Sequence, residues 1–356
     1  MNDIEEDIDH LIDLVPFINE GVVIPIISNS FRVEEVFRSI KELTDKIAKT
    51  PKYSDEYLTV NEQLTKEWAE SINYPMSDDH NLARVAQYYQ VSEKDILLAK
   101  TKYLRFLNSC LLSMNKEADY QDVVSQLKLR LQERTFSDIV SQLDYPRFQP
   151  GADDPLRLLA KLPLPIYVTT SYHSFMERAL EAENKKPRSQ VCFWSGGKSR
   201  AKAEHWPDPD FEPTPLTPAV YHLYGLENYP QTLVLSEDDY MNFLISVAED
   251  TNTQNPIVPL KLREVLAESR LILLGYHMQD WEFRALFRFL LKFRKNELSP
   301  RSTVIQLKPR PKKLEDEKRS LAYLLQYFDK KQFDVEWTNA EEYIQKLWNE
   351  WNKYNS

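Results

Sequence analysis

Hydrophobic and polar positions along the chain fall into three regimes. Near the start, Val22 to Ile27 (VVIPII) is a short, wholly apolar run that ends in a polar turn, Ser28–Asn29–Ser30. Continuous apolar runs of this length suit strands buried on both faces of a parallel sheet. Pro25 sits inside the run, which predicts a short strand or an exposed edge at that residue. From FRVEEVFRSIKELTDKI to about Asp144 the spacing changes. LTKEWAESI, NLARVAQYY, KDILLAKTKYLRFLNSCLLSM and YQDVVSQLKLRLQERTFSDIVSQL place apolar residues three and four apart, the period of amphipathic helices.

After Pro146 and Pro150 the pattern alternates. Strands are predicted at Ile166–Thr169, Val191–Trp194, Val220–Leu223, Leu233–Leu235, Leu271–Leu274, Thr303–Gln306 and Phe333–Glu336. Helices are predicted at Pro155–Leu162, Phe175–Ala182, Ser236–Val247, Pro259–Glu268, Trp281–Phe293, Leu321–Phe328 and Ala340–Trp351. Strands alternating with helices imply a mostly parallel sheet with right-handed crossovers. The expected fold is therefore α/β: a Rossmann-like, mostly parallel sheet with helices on both faces and a large helical insertion. Residues 1–32 and 145–356 would form the α/β domain and residues 33–144 the insertion. Ser195 to Pro218 reads as a long loop.

LILLGYHMQDWEFRALFRFLL, Leu271 to Leu291, is the most informative stretch. An apolar strand breaks at Gly275, and Asp280 is placed to cap the next helix. A strand that ends on glycine and feeds a helix is how α/β proteins build nucleotide crevices. Such a unit without a ligand is equally an ordinary βα connection.

Composition removes several classes. The chain has 356 residues, 42% of them hydrophobic, and a net charge of −10, so neither nucleic-acid nor anionic-membrane binding is expected. The basic cluster Lys308, Arg310, Lys312 and Lys313 is followed by Glu315, Asp316 and Glu317 and reads as a solvated linker. No apolar run reaches membrane-spanning length, and the acidic, amphipathic N-terminus is unlike a targeting peptide. Cys110 and Cys192 are the only cysteines, so a cytoplasmic protein without a structural metal is expected. Gly21, Gly151, Gly196, Gly197, Gly225 and Gly275 are the only glycines. Neither a P-loop nor GxGxxG can be assembled from them.

Four segments carry a resemblance: GVVIPIISNSF from Gly21, LPIYVTTSYHSFMERAL from Leu164, VYHLYGLENYPQTLVLSEDDYMNFL from Val220 and LILLGYHMQDWEFRALF from Leu271. In that order they resemble the bacterial sirtuin-like family, in its NAD-hydrolase branch of antiphage defence rather than its zinc-containing deacetylase branch. The resemblance covers roughly residues 21–37 and 164–306. It implies a NAD- or ADP-ribose-type ligand and no metal. It also implies nucleotide contacts from Ser28, Asn29, Ser30, Arg32, Thr169, Thr170, Ser171, Gly225, Gly275, Tyr276 and His277.

The departures from the family pattern bear on catalysis. Both glycines of the family's first turn are serine here, Ser28 and Ser30. Asn29 could supply a left-handed residue and Arg32 could meet a phosphate; alternatively, Ser30 caps the following helix, with Glu34 near the capping-box position. The family's ribose-holding asparagine is Ser171, and its aspartate is His173, either a displaced base or the start of a helix. The family's catalytic histidine is Tyr224. His222, two residues earlier, shares that face but lies roughly 6–7 Å away, so it is either a relocated base or a satisfied core histidine. The catalytic candidates are thus Ser171, His173, His222 and Tyr224, none carrying the family's chemistry unchanged. The expectation is a sirtuin-like protein impaired in NAD hydrolysis that serves as a nucleotide sensor or interaction module, with a protein partner or a second copy of itself. The alternatives are an active NAD hydrolase with a relocated histidine and a structural assembly subunit without ligand.

Overall fold

The structure is a computed structural model that describes residues 2–38, 58–114, 120–130, 134–143, 154–195, 208, 210–250, 256–278, 280–294, 299–305 and 317–355. Seven strands, β1 (Val23–Ile27), β2 (Ile166–Thr169), β3 (Arg188–Val191), β4 (Ala219–His222), β5 (Arg270–Leu274), β6 (Ser302–Ile305) and β7 (Phe333–Glu336), make one sheet in the order β3-β4-β2-β1-β5-β6-β7. Every pairing is parallel. β1, β2, β4 and β6 are buried at every position, as strands covered on both faces must be. The fold is the Rossmann-like α/β arrangement that the sequence implied.

The chain winds outward from β1 to one side through β2, and to the other through β5, β6 and β7. Strand order therefore reverses between β1 and β5, and ligands in open α/β sheets bind at the carboxyl ends of such a pair. Those ends carry Ser28 and Gly275.

Between β1 and β2 the regular elements among the described residues are helices: α2 (Asn29–Arg38), α3 (Val60–Ser71), α4 (Leu82–Glu93), α5 (Ile96–Met114), α6 (Gln121–Leu129), α7 (Phe136–Gln142) and α8 (Pro155–Lys161). Thr59 and Thr135 close capping boxes on α3 and α7. α1 (Asn2–Asn19) precedes the sheet, and α9 (Phe175–Ala182), α10 (Glu237–Glu249), α11 (Leu260–Glu268), α12 (Trp281–Phe293), α13 (Glu317–Asp329) and α14 (Ala340–Asn355) follow its strands. Three contacts lock the β1–β2 helices to the strand ends. Lys100 of α5 forms a buried ion pair with Asp239 at 2.9 Å and donates to the Leu233 carbonyl at 2.6 Å. Arg84 of α4 reaches Glu237 at 3.2 Å. The Glu227 carboxylate accepts from the Phe136 and Ser137 amides at 2.7 and 3.2 Å, satisfying the open N–H groups that start α7.

Several local expectations change. Pro25 lies in a central strand, not at an edge. The Thr170 amide donates to the Ile27 carbonyl, and the Ser28 amide to the Leu274 carbonyl. Backbone groups alternate sides along a strand, so the nitrogen of Pro25 faces β2. There the pairing covers only Ile26 and Ile27, and no ladder donor is missed. Leu233–Leu235 is not a strand: it follows a 3₁₀ turn at Pro230–Thr232 and is buried by packing, with the Val234 amide on the Tyr224 carbonyl at 3.1 Å. The strand expected at Val191–Trp194 lies at Arg188–Val191. The basic cluster at 308–313 falls outside the described residues.

Candidate functional site

The four polar turns meet at the carboxyl ends of β1, β2, β4 and β5. Their meeting point is Glu282, in the first turn of α12, a residue that sequence reasoning passed over. Its Oε1 accepts from the Asn29 amide at 2.8 Å and from the Thr170 hydroxyl at 2.5 Å. Its Oε2 lies 3.4 Å from the Ser30 hydroxyl. Its backbone carbonyl accepts from the Tyr224 hydroxyl at 2.9 Å. Thr170 also lies 2.8 Å from the Tyr276 hydroxyl; with the Thr170 hydrogen on an ionised Glu282, Tyr276 is the donor. Burial pushes the Glu282 carboxyl up to about 7, against the pull of the Thr170 and Asn29 hydrogen bonds.

The rest of the first turn is equally committed. Ser28 accepts from the Phe31 amide at 3.0 Å and donates to the Gly275 carbonyl at 2.6 Å, so Ser28, not Ser30, caps α2. Asn29 opens that helix and is absent from the left-handed positions; its side-chain oxygen accepts from the Tyr172 amide at 3.4 Å. Arg32 lies within α2, and its side chain is outside the described residues. Gly275 has φ +76, and a Cβ there would lie 2.5 Å from Phe31 Cβ and 2.8 Å from Ser28 Oγ, so only glycine lets β1 and β5 close together.

In the second turn the hydroxyls serve local backbone. Thr169 donates to the Ile27 carbonyl at 3.0 Å and accepts from the Ser171 amide at 2.9 Å, while Ser171 accepts from the His173 amide at 3.2 Å. His173 points away from Glu282. It packs against Phe136 at a ring distance of 4.6 Å, and its Nδ1 lies 3.3 Å from Glu227, off hydrogen-bond geometry.

His222 and Tyr224 are fully buried on β4 and the turn after it. Both His222 nitrogens face acceptors: Glu177 Oε1 at 2.7 Å and the Ser171 carbonyl at 3.1 Å. Two acceptors call for two ring protons, an imidazolium paired with a carboxylate. Burial alone would lower His222, but the Glu177 carboxylate outweighs it and holds the group above its ordinary value. Burial likewise works to raise Glu177, and His222 holds it below the usual carboxylate range. Burial also drives the Tyr224 phenol well above its ordinary value, so it stays protonated at neutral pH and cannot act as a base. Gly225 has φ +89 and sits hard against Thr232, a packing role.

The structure thus brings Asn29, Ser30 and Thr170 onto the Glu282 carboxylate and Tyr224 onto its backbone carbonyl, sets Tyr276 on Thr170 and Ser28 on Gly275 beside them, and leaves His173, His222 and Gly225 outside that group. Ser28 and Thr170 have no exposed surface and Tyr276 only 2%, so the crevice at the strand reversal is filled by its own side chains. An open cavity of about 210 Å³ lies beside it, bounded by Ser30, Phe31, Gly275–His277, Ile305 and the start of α14 at Thr338–Glu341. That is below the roughly 300–1,000 Å³ of pockets that enclose a whole small-molecule ligand.

Among the described residues no group of three His, Cys, Asp or Glu side chains could hold a metal ion. Among the same residues no helix is long and apolar enough to cross a membrane. Residues 165–333 match the family model of the SIR2-like domain, from the residue before β2 to the first residue of β7. The match spans less than half of the chain and is a likeness to SIR2-like domains, which in general bind NAD-related ligands. No curated protein matches the chain.

Proposed function

We propose that this protein is a sirtuin-like module that senses a NAD- or ADP-ribose-type nucleotide without cleaving it by the family's histidine chemistry. One observation carries the reading: the Glu282 clasp fills the crevice at the strand reversal, and Tyr224, where the resembling family has its catalytic histidine, is bound into that clasp. The cavity at Gly275–His277 supplies the other side, where a nucleoside and its phosphates would lie against the turn after β1. Binding there strains or opens the clasp, and that rearrangement is the signal passed to a protein partner or a second copy. A place in prokaryotic defence rests on the family resemblance.

The filled crevice also favours a second reading, a ligand-free assembly subunit. Melting curves separate the two. ADP-ribose at a hundredfold excess over its Kd should stabilise the fold by about 2.7 kcal/mol. Nicotinamide mononucleotide, which lacks the adenosine half, should leave the curve unchanged. If neither ligand moves the curve, the assembly reading replaces the sensor.

A further inference from the structure

A cavity larger than the one beside the Gly275 turn lies toward the β3 edge of the sheet. It has a volume of about 610 Å³ and opens between α9, the β3 edge and the turn after β4. That size is within the range of pockets that enclose a small molecule. Its wall is polar and built around Glu177, of which only 6% is exposed. Glu177 Oε1 accepts from His222 at 2.7 Å and from the Ser189 hydroxyl at 2.6 Å. Glu177 Oε2 is buried and has no hydrogen-bond partner. A carboxylate oxygen left bare inside a protein calls for a donor from elsewhere.

The remaining charges of the wall decide which donor. Arg188 is paired with Asp208 at 3.3 Å, and Arg178 with Asp138 at 3.5 Å, although the Arg178 Nε is itself buried without a partner. Both cations are thus answered by carboxylates. Glu227 and Glu181 add two more negative charges, and among the described residues Glu181 has no ion pair. The wall carries an excess of carboxylate over guanidinium, and the unpartnered Glu177 Oε2 lies buried behind it.

We propose that this cavity is a binding site for a small organic cation, a primary amine or guanidine, that donates to Glu177 Oε2 and is held at the mouth by Glu181. The site is separate from the nucleotide crevice and does not depend on its reading. Its donor reaches the carboxylate that holds His222, and His222 in turn bonds the backbone of Ser171. Occupation of the cavity is therefore one bond removed from the second polar turn.

Calorimetric titration of the full-length chain tests it, with agmatine as the cationic probe and glutarate as an anionic counterpart of similar length. Agmatine should bind saturably at one site, and glutarate should not bind. Glu177→Gln should weaken agmatine by roughly tenfold or more, as expected for loss of one charge-assisted hydrogen bond. Because Glu177 is buried, its variant could fail to fold, so the exposed Glu181→Lys serves as a second arm. It should also weaken agmatine, by about tenfold, through charge reversal at the mouth. Absence of saturable agmatine binding, equal binding of glutarate, or parental affinity in Glu181→Lys would each overturn the assignment.

Discussion

The phenolic hydrogen of Tyr224 is donated to the backbone carbonyl of Glu282 at 2.9 Å, across 58 residues of chain. That bond ties the turn after β4 to the first turn of α12 and closes one side of the crevice. The carboxylate of the same Glu282 closes the other side through Asn29 and Thr170. The position that holds the catalytic histidine in the resembling family is therefore part of a structural clasp.

Glu282 gives the clasp a pH dependence. Its carboxyl is raised from 4.5 to about 7 in the folded protein. The folded state then holds a proton that the unfolded state has lost, so this group's contribution to stability falls as pH rises from about 4.5 to about 7. A shift of that size corresponds to roughly 3 kcal/mol. Thermal melts of the parent and of Glu282→Gln at pH 5 and pH 8 should diverge, the parent losing more stability at the higher pH. Parallel profiles would contradict the buried charge.

In the His222–Glu177 pair the two partners run in opposite senses. His222 is raised, so its contribution is full below its unfolded value of 6.5 and is lost as pH rises through the folded value. Glu177 is lowered, so its contribution is full above 4.5 and is lost as pH falls through its folded value. The pair is strongest between these limits. His222→Leu should cost roughly 3–5 kcal/mol, because a buried carboxylate loses its cation. The double variant with Glu177→Leu should recover much of that. Urea unfolding of the two singles and the double measures the coupling.

Gly275→Ala should destabilise the fold by about 2 kcal/mol or more. It forces a side chain into a left-handed residue and into van der Waals overlap with Phe31 and Ser28. The readout is the denaturant midpoint, and an unchanged midpoint would show that β1 and β5 can separate freely at their ends.

The sheet was readable in the sequence because its central strands are buried on both faces and read as unbroken apolar runs, as at Leu271–Leu274. The clasp was not. A glutamate in the first turn of a helix suits the helix dipole and reads as a solvated residue. Only the approach of Asn29 and Thr170, 253 and 112 residues away, shows that Glu282 is a half-buried hub. Pro25 left a short strand and an edge both open for a related reason, and the short strand is what forms. The cost of the proline depends on which neighbour its nitrogen faces, and that is set by register, not by local pattern. Leu233–Leu235 is as apolar as a strand, yet apolarity reports burial and not the ladder that makes a strand. The cap at Ser28 was missed because Ser28 and Ser30 are chemically alike, and helix geometry alone chooses between them.

The most direct test of the central claim is incubation of the purified protein with NAD, reading nicotinamide release and melting temperature in the same sample. The account predicts a rise in melting temperature with no nicotinamide above background. Robust nicotinamide release that disappears in Tyr224→Ala or His173→Ala would contradict it.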